Sequence, residues 1–262
     1  SKIISYPFDG EFGNQGIYGY YNGKELGELW GYTSVGLAQS DEEMKEWLTS
    51  NKPNWGSKWQ AGDVKYKDLT GEGEVTPGAS TLENHGDLKR IGNNSPRYRV
   101  GLNLDAAWKG IDFSIFFQGV LKRDWMFDAG DPYFWGAGSG MWQAACFEEH
   151  MDYWTPENTD AYYPKPYFNE TKNQQAQDAY MQKASYLRCK NIQLGYTLPT
   201  HITEKAGISN CRIYLSCDNL FTITGLSSVY DPEVFGSYDG YGTSGKTYPL
   251  QRTISVGVNL NF

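Results

Sequence analysis

From Arg97 to Trp108 the chain alternates apolar and polar side chains without a break. Tyr98, Val100, Leu102, Leu104, Ala106 and Trp108 fall on one face, and Arg97, Arg99, Gly101, Asn103 and Asp105 on the other. A period of two predicts a β-strand with one apolar face; a helix would repeat its apolar positions every three to four residues. After Lys109-Gly110 a second run covers 111–121, where Ile111, Phe113, Ile115 and Phe117 oppose Asp112, Ser114 and Gln118. Two runs joined by two residues predict a tight hairpin. The chain holds three further runs. In 186–198, Ile192, Leu194, Tyr196 and Leu198 alternate with Asn191, Gln193 and Thr197. Its first half, Leu187 to Lys190, breaks the pattern and is read as a bulge. In 211–221, Cys211, Ile213, Leu215 and Cys217 oppose Arg212, Ser216 and Asp218. In 250–262, Ile254, Val256, Val258, Leu260 and Phe262 oppose Thr253, Ser255, Asn259 and Asn261.

Soluble antiparallel sheets alternate as well, so other properties must separate the two cases. These runs are about 11 to 13 residues long, against about 5 or 6 for a globular strand. A tilted strand crosses a bilayer in about 9 to 11. Tyr98 and Trp108 cap one apolar face at opposite ends. At about 3.3 Å per residue and about 40° of tilt they lie roughly 25 Å apart, the height of the apolar band between aromatic girdles. Loop lengths also alternate. If the strand ending at Phe262 runs inward, 222–249 is a long external loop and 199–210 a short periplasmic connection. Residues 122–185 are then a very long external loop, Lys109-Gly110 is periplasmic, and everything before Arg97 is external. Membrane barrels obey that alternation. The expected fold is all-β: an antiparallel transmembrane β-barrel with long extracellular loops. Residues 1–96 form an extracellular loop region with short helix and strand pieces, and 97–262 form the C-terminal barrel strands. The bacterial outer membrane is the expected location.

Composition agrees. Aromatic content is 16%, with 20 Tyr, 9 Trp and 30 Gly, as many strands with glycine-rich connections would require. Mean hydropathy is negative, which barrel strands allow because lumen-facing residues dilute lipid-facing ones. No apolar run reaches about 18 residues, so no transmembrane helix is predicted. The net charge of −8 and the lack of a basic stripe argue against a nucleic-acid partner. Cys146, Cys189, Cys211 and Cys217 have no CxxC spacing and read as small apolar residues. Ser1-Lys2-Ile3-Ile4 carries no leader, which for a membrane protein implies a preceding N-terminal part. Lys2-Ile3-Ile4 reads as a strand end and Leu26 to Leu37 as strand-like. Ser40 to Leu48 reads as a short helix, with Ser40 as N-cap and Glu43 three residues on.

Six stretches resemble, in order, the SusC/RagA family of TonB-linked outer-membrane proteins. They are GDVKYKDLTGEG (62–73), IGNNSPRYRVGLN (91–103), WTPENTDAYYP (154–164), ASYLRCKNIQLGYTLP (184–199), IYLSCDNLF (213–221) and YPLQRTISVGVNLNF (248–262). The resemblance runs from about Leu26 to Phe262. It implies a 22-stranded barrel around an N-terminal plug, of which this chain is the C-terminal part. It further implies a SusD-like surface lipoprotein as lid, transport driven by TonB through the missing N-terminal part, and glycan or peptide cargo. Phe262, a final aromatic on an alternating strand, resembles the signal read by the barrel assembly machinery. The implied function is nutrient import, with no enzyme activity and no cofactor. The alternatives are a secreted carbohydrate-binding β-sandwich and a barrel-borne enzyme.

Three local features are candidates for binding. Trp125, Tyr133, Phe134, Trp135 and Trp142 lie in loop 122–185, and Tyr230 and Tyr241 in loop 222–249. Such rings either face cargo or lid, or pack into a core that folds the loop on itself. Asp68, Thr70 and Glu72, followed by Gly73, match the first positions of a calcium loop, but Ala79 offers no ligand at the twelfth. A polar, glycine-dependent turn is the favoured reading of the stretch, and a weak calcium site the alternative. Asp124, Asp128, Asp131, Glu148, Glu149 and Asp152 include enough carboxylates for a glycosidase pair, but solvated loop charge accounts for them. His85, His150 and His201 show no ligand or triad spacing.

Overall fold

The computed structural model describes residues 1–7, 16–139, 146–234 and 248–262. In chain order the strands are β1 (Glu28–Gly31), β2 (Ser34–Leu37), β3 (Lys52–Pro53), β4 (Val64–Tyr66), β5 (Glu74–Val75), β6 (Lys89–Asn93), β7 (Arg97–Trp108), β8 (Ile111–Lys122), β9 (Asp124–Trp125), β10 (Gln182–Thr197), β11 (Asn210–Asp218), β12 (Thr222–Gly225) and β13 (Thr253–Asn261). The helices are α1 (Asp41–Trp47) and α2 (Thr200–Thr203). No helix among the described residues is long and apolar enough to cross a membrane. The chain divides into two compact units, one holding Ser1–Ser95 and Asp124–Gln182, the other Pro96–Arg123 and most of the chain from Lys183 onward.

The first unit is built from strand pairs and turns. β1 pairs with β6, β2 with β4, and β3 runs parallel to β5. The stretch 26–37, strand-like in sequence, is therefore two short strands with different partners. At Lys2-Ile3-Ile4, Lys2 makes an isolated antiparallel bridge to Glu25, and the Ile3 N–H donates to the Lys24 carbonyl at 2.8 Å. α1 starts where its cap dictates, with the Glu43 N–H donating to Ser40 Oγ at 3.1 Å. Glu43 reaches back one residue beyond the cap, accepting from the Gln39 N–H at 2.6 Å. The polar centre of the unit is Lys172, whose Nζ lies 2.9 Å from Asp63 Oδ2 with both side chains almost fully buried. That ammonium also donates to the Ser57 and Lys58 carbonyls and sits 4.0 Å from the centroid of the Tyr167 ring. Asp63 is held in turn by Asn173 at 2.8 Å. A buried ion pair persists only when such extra bonds satisfy it.

The second unit is one antiparallel sheet, ordered β13-β11-β10-β8-β7. β7 and β8 are in register from Arg97↔Lys122 to Trp108↔Ile111. Lys109 and Gly110 join them at φ 48° and 87°, the twist a two-residue hairpin needs. A Cβ on Gly110 would stand 2.8 Å from the Thr197 carbonyl oxygen. β10 starts earlier than its alternation suggests, at Gln182, and is bulged between Cys189 and Asn191. The run 211–221 breaks after Asp218, where Asn219 turns to φ 51°. β12 then continues along the upper half of β10. The Lys109-Gly110 turn and the β10–β11 connection lie at the same end of the sheet, the Thr197 N–H donating to the Gly110 carbonyl at 2.7 Å. The last strand finishes at that end too, with Asn261 opposite Asn210.

Candidate functional site

The sheet has two chemically distinct faces. Across one, the register aligns Leu104, Ile115, Ile192, Cys217 and Ile254. The next row is Ala106, Phe113, Leu194, Leu215 and Val256. Much of this face is open: Val256 is 75% exposed, Trp108 68% and Ile254 67%. A β-sandwich would bury such a face under a second sheet. These side chains are exposed instead, which corrects the sandwich alternative. Cys189, Cys211 and Cys217 are buried and unpaired on this face, and Cys146 is exposed. Phe262 follows β13 and is exposed.

The other face is polar and cross-linked. Arg212 donates from Nε to Asp112 Oδ2 at 2.9 Å and from Nη2 to Gln193 Oε1 at 2.9 Å. Asn191 donates to Asp218 Oδ1 at 2.7 Å. Tyr214 lies across the sheet over Gly257, where any Cβ would stand 2.2 Å from the ring. Away from the short turns, Arg188 is buried and donates to Asp231 at 2.7 Å, Glu233 at 2.8 Å and the Thr222 hydroxyl at 2.8 Å. Lys190 adds a bond to Glu233 at 3.2 Å. This latch fastens residues 231–233 onto β10. Sequence reasoning missed it; the only signal was that Leu187 to Lys190 broke the alternation.

The loop aromatics are packed. Phe134 stacks on Phe127 with centroids 4.7 Å apart and meets the edge of Trp135 at 4.8 Å. Trp135 donates from Nε1 to the Asp128 carbonyl at 3.0 Å. Trp125, Phe134, Trp135 and Tyr230 are all buried among other side chains rather than displayed to solvent, and Trp135 also lines a neighbouring cavity. Ring burial explains this: a large aromatic gains more by leaving water than by displaying its face. Tyr133 is half-buried and stacks on Phe147 at 5.8 Å. Trp142 and Tyr241 lie outside the described residues. His150 Nδ1 accepts from the Phe147 N–H at 3.0 Å, so the ring proton sits on Nε2, facing the Tyr133 carbonyl at 3.0 Å. Beside the cluster lies a cavity of about 300 Å³ lined by Trp135, Tyr153, Tyr163, Lys165 and Tyr167.

At the candidate calcium loop, Asp68 Oδ1 accepts from the Gly71 N–H and Oδ2 from the Gly73 N–H, both at 2.6 Å, with the Thr70 hydroxyl at 3.0 Å. Burial raises this carboxyl, but the Gly73 and Gly71 N–H groups outweigh it and leave the pKa below the ordinary range. Both oxygens thus face N–H and O–H donors, the chemistry of a carboxylate-closed turn. Glu72 is exposed. Among the described residues no three His, Cys, Asp or Glu side chains converge as metal ligands.

No protein-family model matches the chain. TonB-dependent receptor P3 of Formosa agariphila is 28% identical over 247 residues, 92% of this chain and 22% of the relative. TonB-dependent receptor P26 of the same organism is 26% identical, over 77% of this chain and 20% of its own length. The chain thus spans about a fifth of these relatives. Among solved structures, the RagAB peptide transporter aligns at TM-score 0.60 and 22% identity, over 92% of this chain and 24% of that chain. The RagAB peptide importer in its open-open state aligns at 0.55 and 20%, over 95% and 25%. At these identities the structural likeness establishes the fold, that of part of an antiparallel β-barrel, and the relatives are receptors and transporters rather than enzymes. In sequence the chain is thus similar to TonB-dependent receptors, and in fold to part of the RagAB transporter.

Proposed function

We propose that the protein to which this chain belongs imports nutrients across the bacterial outer membrane. β7, β8, β10, β11 and β13 form part of the barrel wall. Their apolar face meets lipid and their polar face meets a watery lumen. The observation that supports this best is the continuous, uncovered apolar face, opposed residue by residue to a cross-linked polar one. Residues 1–96 and the loops 122–185 and 222–249 lie outside the cell, and the short turns at Lys109-Gly110 and 199–210 face the periplasm. A SusD-like lipoprotein caps the loops, TonB energises transport, and the cargo is an oligosaccharide or peptide fragment. The cavity beside Trp135 offers aromatic walls and one ammonium to such cargo. The whole protein should fractionate with outer membranes and migrate faster in detergent gels unheated than boiled. Recovery of the protein from the soluble fraction, with no heat-dependent shift, would overturn the proposal.

A further inference from the structure

The cavity of about 300 Å³ beside the loop aromatics has mainly apolar walls, among them Trp135, Tyr153 and Tyr163. Ala137, Met151 and Pro166 also line it and are exposed, so it opens to solvent. An engineered cavity of about 150 Å³ holds a benzene ring. There is room here for one aromatic side chain and some of the backbone that carries it.

The buried polar side chains of the lining are engaged at both ends by the protein itself. His150 accepts from the Phe147 N–H and donates to the Tyr133 carbonyl, each at 3.0 Å. Gln174 accepts from the Gly130 N–H at 2.7 Å and donates to the Gly138 carbonyl at 2.6 Å. Asn173 accepts from the Val64 N–H at 3.0 Å and donates to Asp63 at 2.8 Å. The Tyr167 hydroxyl accepts from Gln60 at 2.8 Å, and the Trp135 ring N–H is held by the Asp128 carbonyl. The backbone adds little. Pro164 and Pro166 have no N–H to give, and the Lys165 N–H between them donates to the Gly62 carbonyl at 2.9 Å. A sugar ring entering this space would bury hydroxyls with few partners to match them, which is costly. Charged groups are no better served. Lys165 and Glu170, the charged side chains among the described lining residues, are of opposite sign. The Tyr167 ring already serves two cations, with the Lys172 ammonium 4.0 Å and the Lys165 ammonium 6.0 Å from its centroid.

We propose that this cavity is a subsite for a neutral aromatic side chain of a peptide, so that the importer takes peptide fragments bearing such rings in preference to oligosaccharides. Of the two cargo classes only peptides carry an apolar ring; a glycan brings hydroxyls around every sugar. The inference rests on the importer reading for its cargo and narrows it, but the binding chemistry can be measured apart from import.

The test uses the full-length transporter in detergent, titrated with acetyl-Gly-Phe-Gly amide, its Ala and Lys counterparts, and maltotriose. The Phe peptide should bind about tenfold tighter than the Ala peptide, as burial of one ring allows, and the ratio should hold as salt rises because no charge is paired. A137F, which fills the cavity from an exposed position, should remove about that tenfold. Y153A should remove part of it, and Y153F, which keeps the ring, should leave it unchanged. A heat-modifiable band for each variant shows that it is folded. Equal affinity for the Phe and Ala peptides, or no effect of A137F, overturns the subsite. Tighter binding of maltotriose or of the Lys peptide, or loss of Phe binding in Y153F, overturns the assignment to a neutral ring. If A137F releases the SusD-like lipoprotein but leaves Phe binding intact, the occupant is the lid and the cargo assignment is overturned. Cells lacking the transporter that take up the Phe peptide normally would sink the importer reading, while its saturable binding to the purified protein would still stand.

Discussion

Arg212 on β11 reaches across the whole of β10 to Asp112 on β8, with Nε 2.9 Å from Oδ2. The ion pair can cross because Gly195 lies beneath it; a Cβ there would stand 2.4 Å from Asp112 Oδ2 and 2.5 Å from Arg212 Nη2. Gly195→Leu should force the pair apart and cost about 1 to 3 kcal/mol. The readout is the temperature at which the full-length protein loses its fast-migrating band. In an Arg212→Ala background the same substitution should cost less, since the pair is already gone. Full additivity would mean that Gly195 matters for another reason.

Orientation of the wall can be read from adjacent residues on β13. Val256 belongs to the apolar face and Ser255 pairs with Ser216 on the polar one. Val256→Arg should destabilise the barrel in lipid vesicles by about 2 to 4 kcal/mol if it lies near the bilayer midplane. Ser255→Arg, facing water, should be close to neutral. Equal effects in a denaturant titration from vesicles would refute the assignment of faces.

The loop unit depends on its buried pair. Lys172→Met leaves Asp63 buried with its cation gone, and should cost about 3 to 5 kcal/mol. Proteolysis of the full-length protein in rising urea should cut within residues 124–182 at lower concentrations. Adding Asp63→Asn should restore part of the resistance, because no unpaired charge then remains.

Helix α1 should respond to acid. The Lys65 ammonium beside Glu43, helped by the Gln39 N–H, holds its carboxyl below the ordinary range. A carboxyl depressed in the folded state contributes stability above its unfolded pKa and loses it as pH falls through the folded value. Hydrogen exchange at 40–48 should therefore speed up, relative to intrinsic rates, as pH drops below about 4. The effect should be small, because the Glu43 side chain is partly exposed. Glu43→Gln should flatten the dependence; an unchanged pH profile would show that the pair does not hold the helix.

Strong periodicity was legible, and local chemistry with it. β7 and β8 appear almost residue for residue where alternation placed them, and Ser40 caps α1 as its spacing implied. Irregularity was legible only as a break: the faulty pattern at Leu187 to Lys190 marked a bulge, but not that Arg188 there grips Asp231 and Glu233. Those partners are more than 40 positions away, and no local spacing connects them.

By itself the sequence determined which side chains share a face, because strand geometry sends every second residue the same way. It also determined where the tight turn falls, because Lys109-Gly110 suits the positive φ such a turn requires. Only the tertiary structure decided what those faces meet. Whether Leu194 and Val256 would be covered by a second sheet, or whether Phe134 and Trp135 would face outward or pack inward, depends on segments far apart in the chain. Alternation is set by covalent geometry, whereas burial is set by whichever distant surfaces the fold brings near.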